Sequence, residues 1–167
     1  MKVAIIFYSF SGNTKAACSS LKDKLSKSAE AITIELKPKK EAQAFLGQCW
    51  EAFLKKEPVL DDANLDLSSY DFCIFSSPVW AFTYAPALRS YLKKVKGLND
   101  KKCCCFLTFG SGAGSVKALG ALEAVLKGKG GRILFSKNLS GLESRDEESL
   151  GNFFKPLIEI ITGKEQI

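Results

Sequence analysis

Ser9-Phe10-Ser11-Gly12-Asn13-Thr14 lies between an apolar run, Val3 to Tyr8, and a helix-like stretch that begins near Lys15. A strand that ends in a turn rich in Ser, Thr and Gly and then opens a helix is a place to hold phosphate. The backbone N–H groups of the turn and of the first helical turn have no intrahelical partner. The helix dipole adds roughly half a positive charge at that end. Ser9, Ser11 and Thr14 contribute hydroxyl donors, and Gly12 lets the backbone approach closely. Such a turn binds phosphate without any Lys or Arg. The same residues also read as an ordinary turn in which Ser11 or Asn13 caps the helix and nothing binds. On this stretch alone both readings stand.

The chain on either side decides the fold class. Val3–Tyr8 is continuously apolar, as a strand buried on both faces requires. Asn13–Ser28 reads as a helix with Ala16, Ala17, Leu21 and Leu25 on one stripe. Ala31–Leu36 is a second strand, broken by Lys37-Pro38-Lys39-Lys40, and Ala42–Lys55 a second helix. Glu57–Ser69 is a polar connector. Tyr70–Ser76 is a third strand, Pro78–Thr83 a loop, and Ala85–Val95 a third helix. Lys102–Phe109 is the fourth strand and Ser115–Lys127 the fourth helix, joined by the glycine-rich Gly110–Gly114. Arg132–Ser136 is the fifth strand and Asn138–Arg145 a polar turn. Asp146–Ile161 is the last helix, with Ser144 or Asp146 as its cap and Glu147 and Glu148 in its first turn.

Alternating strands and helices make βαβ units and a parallel sheet covered on both faces. The loops 9–14, 77–83 and 109–114 all follow carboxyl ends of strands, so they share one edge of the sheet. In open α/β sheets that edge holds the ligand, where the strand order reverses.

The chain has 167 residues, 46% of them hydrophobic and 25% charged, which suits a single globular domain over 1–167. No run approaches the ~18 apolar residues of a membrane helix, and the start shows no signal-peptide pattern. Six cysteines, three of them contiguous, fit no disulfide framework and read as reduced thiols in a cytoplasm. The absence of histidine excludes Ser-His-Asp and Cys-His catalysis and imidazole metal sites. Paired Cys-x2-Cys spacing is also absent, so no metal site is expected. The net charge of +6 raises the question of a polyanion partner. Yet Lys24, Lys27, Lys93, Lys94, Lys96, Lys127 and Lys129 fall at helix carboxyl ends, where they complement the dipole. Neither nucleic acid nor membrane is the expected partner. Lys37, Lys39, Lys40 and Lys137 are expected to flank the ligand edge.

Trp80, Phe82 and Tyr84 crowd the second loop. That much aromatic area needs a partner, either a flat ligand stacked on Trp80 or the protein's own core. The third loop, Thr108-Phe109-Gly110-Ser111-Gly112-Ala113-Gly114, departs from a dinucleotide fingerprint: Ser115 stands where the third glycine belongs, and no acidic residue ends the next strand. It reads instead as a loop whose backbone closes over a ligand held by the first loop. Cys103, Cys104 and Cys105 alternate faces of a central strand as small core residues. Cys18 lies just past the phosphate turn, where a helix start lowers a thiol's pKa, although packing alone also accounts for it.

Tyr8-Ser9-Phe10-Ser11-Gly12-Asn13-Thr14 resembles the phosphate loop of the flavodoxins, which read Ser/Thr-x-Ser/Thr-Gly-x-Thr after the first strand. Ser77-Pro78-Val79-Trp80, followed by Ala85-Pro86-Ala87-Leu88-Arg89-Ser90-Tyr91-Leu92, is similar to a segment of flavodoxin-like proteins close to the flavin-dependent quinone reductases. Phe106-Leu107-Thr108-Phe109-Gly110-Ser111-Gly112 resembles their third flavin loop. The resemblance implies a flavodoxin-like three-layer α/β/α sandwich with a five-stranded parallel sheet in the order 2-1-3-4-5. It implies FMN, with the phosphate on Ser9, Ser11, Gly12, Asn13 and Thr14 and Phe10 beside it. The ring system would lie along Pro78, Val79, Trp80, Ala81, Phe82 and Thr83, with Phe109, Gly110 and Ser111 at its other end. No catalytic side chain is implied, because the cofactor carries the chemistry and the protein tunes it. Two departures bear on the role: electron-carrier flavodoxins are acidic and this chain is basic, and its third loop lacks the Tyr that stacks on the outer flavin face. The expected function is electron transfer or a small FMN-dependent quinone or NAD(P)H oxidoreductase, as a monomer or homodimer. Its partner would be a redox protein or a small electron donor or acceptor. The alternative is a binding or regulatory module on the same fold that uses no flavin.

Overall fold

The computed structural model describes residues 1–39, 58–61 and 63–163. The helix expected over 42–55 lies outside the described residues. β1 (Lys2–Phe7) is buried from its second residue onward. It is flanked on both sides, by β2 (Glu30–Glu35) and by β3 (Phe72–Trp80), each parallel to it. β3 next pairs with β5 (Lys102–Phe109), and β5 with β6 (Arg132–Ser140), again in parallel. The order is β2-β1-β3-β5-β6. With the short β4 (Thr83–Tyr84) set aside, this is the expected 2-1-3-4-5 sheet. β4 corrects the all-parallel expectation, because it pairs antiparallel with the end of β3.

Two core layers cover the sheet. On one face Ala17, Leu21 and Leu25 of α1 (Asn13–Leu25) and Leu150, Phe154 and Leu157 of α4 (Glu147–Thr162) pack on Val3, Ile5, Ile74, Cys104 and Phe106. On the other, Leu88 and Tyr91 of α2 (Pro86–Lys94) and Ala118, Leu122 and Leu126 of α3 (Ser115–Gly128) pack on Ala4, Ile6, Cys73, Phe75, Cys103 and Cys105. The triple cysteine therefore alternates faces, as its place on a central strand requires. The continuous apolar runs of β1 and β3 are accounted for by this double coverage.

Three boundaries differ from expectation. β3 runs four residues past Ser76, to Trp80, because Ser77 and Pro78 remain in register with Leu107 and Thr108. β6 runs to Ser140, so Asn138–Ser140 are strand and only Glu143–Arg145 form a 3-10 turn. α1 ends at Leu25, with the Ser26 hydroxyl closing on the Asp23 carbonyl at 2.7 Å. Asp146 caps α4 by accepting from the Ser149 amide at 2.7 Å, as expected, and Glu147 and Glu148 fill the first turn.

Lys24, Lys93, Lys94 and Lys127 occupy last turns of helices. Lys137 corrects its expected place: it lies inside β6, with its ammonium 5.9 Å from the Phe135 ring centroid. Among the described residues no helix is long and apolar enough to cross a membrane, and no cluster of thiols and carboxylates has the geometry of a metal site.

Candidate cofactor-binding site

The carboxyl ends of β1, β3 and β5 bring the three loops to one edge. At the first, Gly12 has φ +88° and heads α1 without any side-chain cap. Neither Ser11 nor Asn13 caps the helix start; the Ser9 hydroxyl takes up one of its amides instead. A Cβ at Gly12 would meet nothing within 4 Å, so the glycine is required by its backbone angle and its surroundings are open. The Lys15 amide donates to Ser9 Oγ at 3.2 Å and the Ala16 amide to the Gly12 carbonyl at 2.9 Å. Among the described residues nothing accepts from the Asn13 and Thr14 amides, which stay available at the positive end of the dipole. Thr14 is buried, and its Oγ1 lies 2.8 Å from Thr108 Oγ1 at the end of β5. Phe10 is 38% exposed.

The second stretch is a β-hairpin rather than a loop. Val79 and Trp80 pair with Tyr84 and Thr83, which leaves a two-residue connection. Its residues, Ala81 (φ 44°) and Phe82 (φ 64°), are both left-handed. That is the type I′ arrangement that ordinarily takes Asn-Gly, so the hairpin is held against its local preference. Trp80 is 7% exposed and packs edge-on against Tyr8 at 5.5 Å and Phe10 at 5.8 Å. Of the two readings left open for this stretch, the geometry shows Trp80 in the core. Phe82, 61% exposed, is the ring presented at the edge. Pro78, Val79 and Thr83 are half-buried. The Ser77 hydroxyl accepts from the Ala85 amide at 3.1 Å and ties the hairpin to the start of α2. Arg89 donates to Thr83 Oγ1 at 3.2 Å, with its guanidinium 5.6 Å from the Tyr84 ring centroid.

The third loop meets the hairpin. A Cβ on Gly114 would stand 2.9 Å from both Cα and Cβ of Phe82, so only glycine permits this contact. Phe109 folds back over its own loop, its ring edge 3.4 Å from where a Gly112 Cβ would be. Gly110 and Ser111 remain at the rim, and a Cβ on Gly110 would meet open space.

Two residues gain a place in the site from the structure. Thr108, at the head of the third loop, meets Thr14 because β5 runs in register beside β3. Arg145 ends a stretch whose sequence predicts only a polar turn, yet its Nε–H donates to Asn13 Oδ1 at 2.8 Å across a separation of 132 residues. Cys18, in contrast, is fully buried. Burial pushes its thiol well above the ordinary thiol range, so packing outweighs the helix start and no reactive thiolate forms.

No protein-family model and no curated protein matches the chain. Solved structures do match. A flavoprotein from Lactobacillus acidophilus in complex with FMN superposes with a TM-score of 0.69 at 19% identity, over 82% of this chain and 92% of that one. A flavodoxin from the domain Archaea gives 0.63 at 14% identity over 98% of both chains. A WrbA-like flavodoxin from Agrobacterium tumefaciens gives 0.65 at 13% identity over 99% of both. The chain has the flavodoxin-like fold.

Proposed function

We propose that this flavodoxin-like chain binds FMN and acts as a redox flavoprotein, with a small-molecule reductase as its working role. The observation that carries the reading is the first loop: a helix start whose Asn13 and Thr14 amides have no acceptor among the described residues, opened by a left-handed Gly12, on the edge shared by the two other loops. The likeness to a solved FMN complex supports the choice of cofactor.

The residues fit the group. The Asn13 and Thr14 amides and the hydroxyls of Ser9, Ser11 and Thr14 are donors suited to a phosphate monoester. The hairpin from Pro78 to Thr83 supplies an apolar wall, and Gly110 and Ser111, next to the folded-back Phe109, supply a rim with little side-chain bulk. When bound, the flavin supplies one- and two-electron chemistry that no side chain here could perform. The chain's own part is to anchor the phosphate, to exclude water with Phe82 and Phe10, and to present backbone groups to the ring. No residue is assigned as acid or base.

Two observations favour a reductase over a carrier. The net charge of +6 is opposite to that of the acidic electron carriers. Phe109 is folded onto its own loop, so the third loop offers no ring to cover the outer face. An open face admits a quinone or a nicotinamide. Stopped-flow mixing of the FMN-loaded protein with reduced nicotinamide and then with a quinone tests this. Direct reduction and reoxidation of the flavin are expected. Failure of both steps would leave an electron carrier served by a protein partner.

A further inference from the structure

Arg145 closes the 3-10 turn Glu143–Arg145 between β6 and α4. Its backbone is well fixed. The Ser144 hydroxyl donates to the Gly141 carbonyl at 2.7 Å, and the Gly141 amide donates to the Phe109 carbonyl at 2.8 Å, which joins the turn to the third loop. Gly141 also hugs the phosphate loop, because a Cβ there would stand 2.8 Å from Asn13 Nδ2. The turn is thus built to pass close beside Asn13.

The guanidinium it carries is badly placed for stability. Asn13 opens α1, and a cation at the start of a helix opposes the dipole that a cation at the far end would complement. None of the neighbouring carboxylates forms an ion pair with it among the described residues. Glu143 accepts from the Ser140 amide at 3.0 Å, and Asp146 accepts from the Ser149 amide at 2.7 Å. Among the described residues the Nε–H bond to Asn13 is the hydrogen bond the Arg145 side chain makes, and it enters no ion pair. The four Nη N–H donors of this exposed side chain make no hydrogen bond among the described residues, and the guanidinium is anchored on Asn13, whose amide, like that of Thr14, has no acceptor there. Both unfavourable features are relieved by one event, the arrival of an anion at the helix start.

We infer that Arg145 is an ionic ligand of the cofactor's phosphate, held in place by Asn13, and that it sets the preference for FMN over phosphate-free riboflavin. The inference rests on the FMN reading above. A phosphate monoester carries close to two charges at neutral pH, and a guanidinium meets it with paired N–H donors that an ammonium cannot reproduce.

Fluorescence titration of FMN and of riboflavin against wild type, Arg145→Ala and Arg145→Lys tests this, with a thermal melt of each variant. Arg145→Ala should lose roughly ten- to a hundred-fold in FMN affinity and leave riboflavin unchanged. Arg145→Lys should fall between. The salt dependence of FMN affinity should weaken in the Ala variant. Equal FMN affinity in wild type and Arg145→Ala overturns the inference and leaves the FMN reading standing. An equal loss for FMN and riboflavin overturns it too, because Arg145 would then only brace the loop. Absence of FMN binding by wild type removes both.

Discussion

Thr14 Oγ1 and Thr108 Oγ1 lie 2.8 Å apart, so the first helix and the end of β5 share one buried hydrogen bond between hydroxyls. If Thr108 donates, the Thr14 proton is left for the phosphate. Thr14→Val should then weaken FMN binding by roughly 1.5–3 kcal/mol, the value of a hydrogen bond to a charged group. Thr108→Val should also weaken it without touching the ligand, because Thr14 would lose the partner that orients it. Each single variant strands a buried hydroxyl, so the double variant should lose less than the sum of the two in urea melts. Non-additive losses with an unaltered FMN affinity would mean that the pair only joins two elements, and additive losses would mean that the two hydroxyls are not coupled at all.

The hairpin tip stores strain. Ala81 and Phe82 both adopt left-handed angles, at about 1–2 kcal/mol each for non-glycine residues. Replacing Ala81-Phe82 by Asn-Gly should raise the melting temperature, since that pair suits a type I′ turn. It should also weaken FMN, because the exposed Phe82 ring is removed. A stabilised variant with undiminished FMN affinity would show that Phe82 does not shield the ring.

Gly114→Ala probes the neighbouring loop. The new Cβ would stand 2.9 Å from the Phe82 backbone at a glycine with φ +74°. Destabilisation of at least ~1 kcal/mol is expected. Phe82→Ala should rescue little of it, because the Cα of residue 82 remains in the way. Full rescue would place the clash in the ring alone.

Alkaline pH should unfold the protein earlier than its charge suggests. Burial pushes the Cys73 and Cys103 thiols up to about 12 and the Cys105 thiol to about 11, from an ordinary 9.0. For each thiol the unfolded chain ionises first. The stabilising difference is therefore complete below about pH 9 and is lost as pH rises through the folded values. Urea midpoints measured on both sides of that threshold should fall steeply with pH. Cys105→Ala should flatten the fall while lowering stability at neutral pH. An unchanged slope would show that these thiols do not govern it.

The sheet is legible because β1, β3 and β5 each carry a continuous apolar run, Val3–Phe7, Phe72–Phe75 and Cys103–Leu107, a pattern that double-sided burial requires. The phosphate turn was legible because Gly12 interrupts a run of hydroxyl residues where a strand gives way to a helix. The hairpin was not. Ala81-Phe82 carries no turn signal, and the contact that its left-handed angles fit, with Gly114, lies some thirty residues away in sequence. Trp80 looked like a stacking ring because loop aromatics need cover, but that cover comes from Tyr8 and Phe10, some seventy residues earlier. Arg145 was invisible for a similar reason, since nothing local ties it to Asn13.

The central claim is that the open start of α1 and the two loops beside it hold FMN. It is tested most directly by mixing the purified protein, stripped of any bound flavin, with FMN and recording absorbance and flavin fluorescence. A perturbed flavin spectrum and saturable fluorescence quenching at one FMN per chain are predicted. A free-flavin spectrum and unquenched fluorescence at every protein concentration would contradict the account and leave a flavodoxin-fold module that works without flavin.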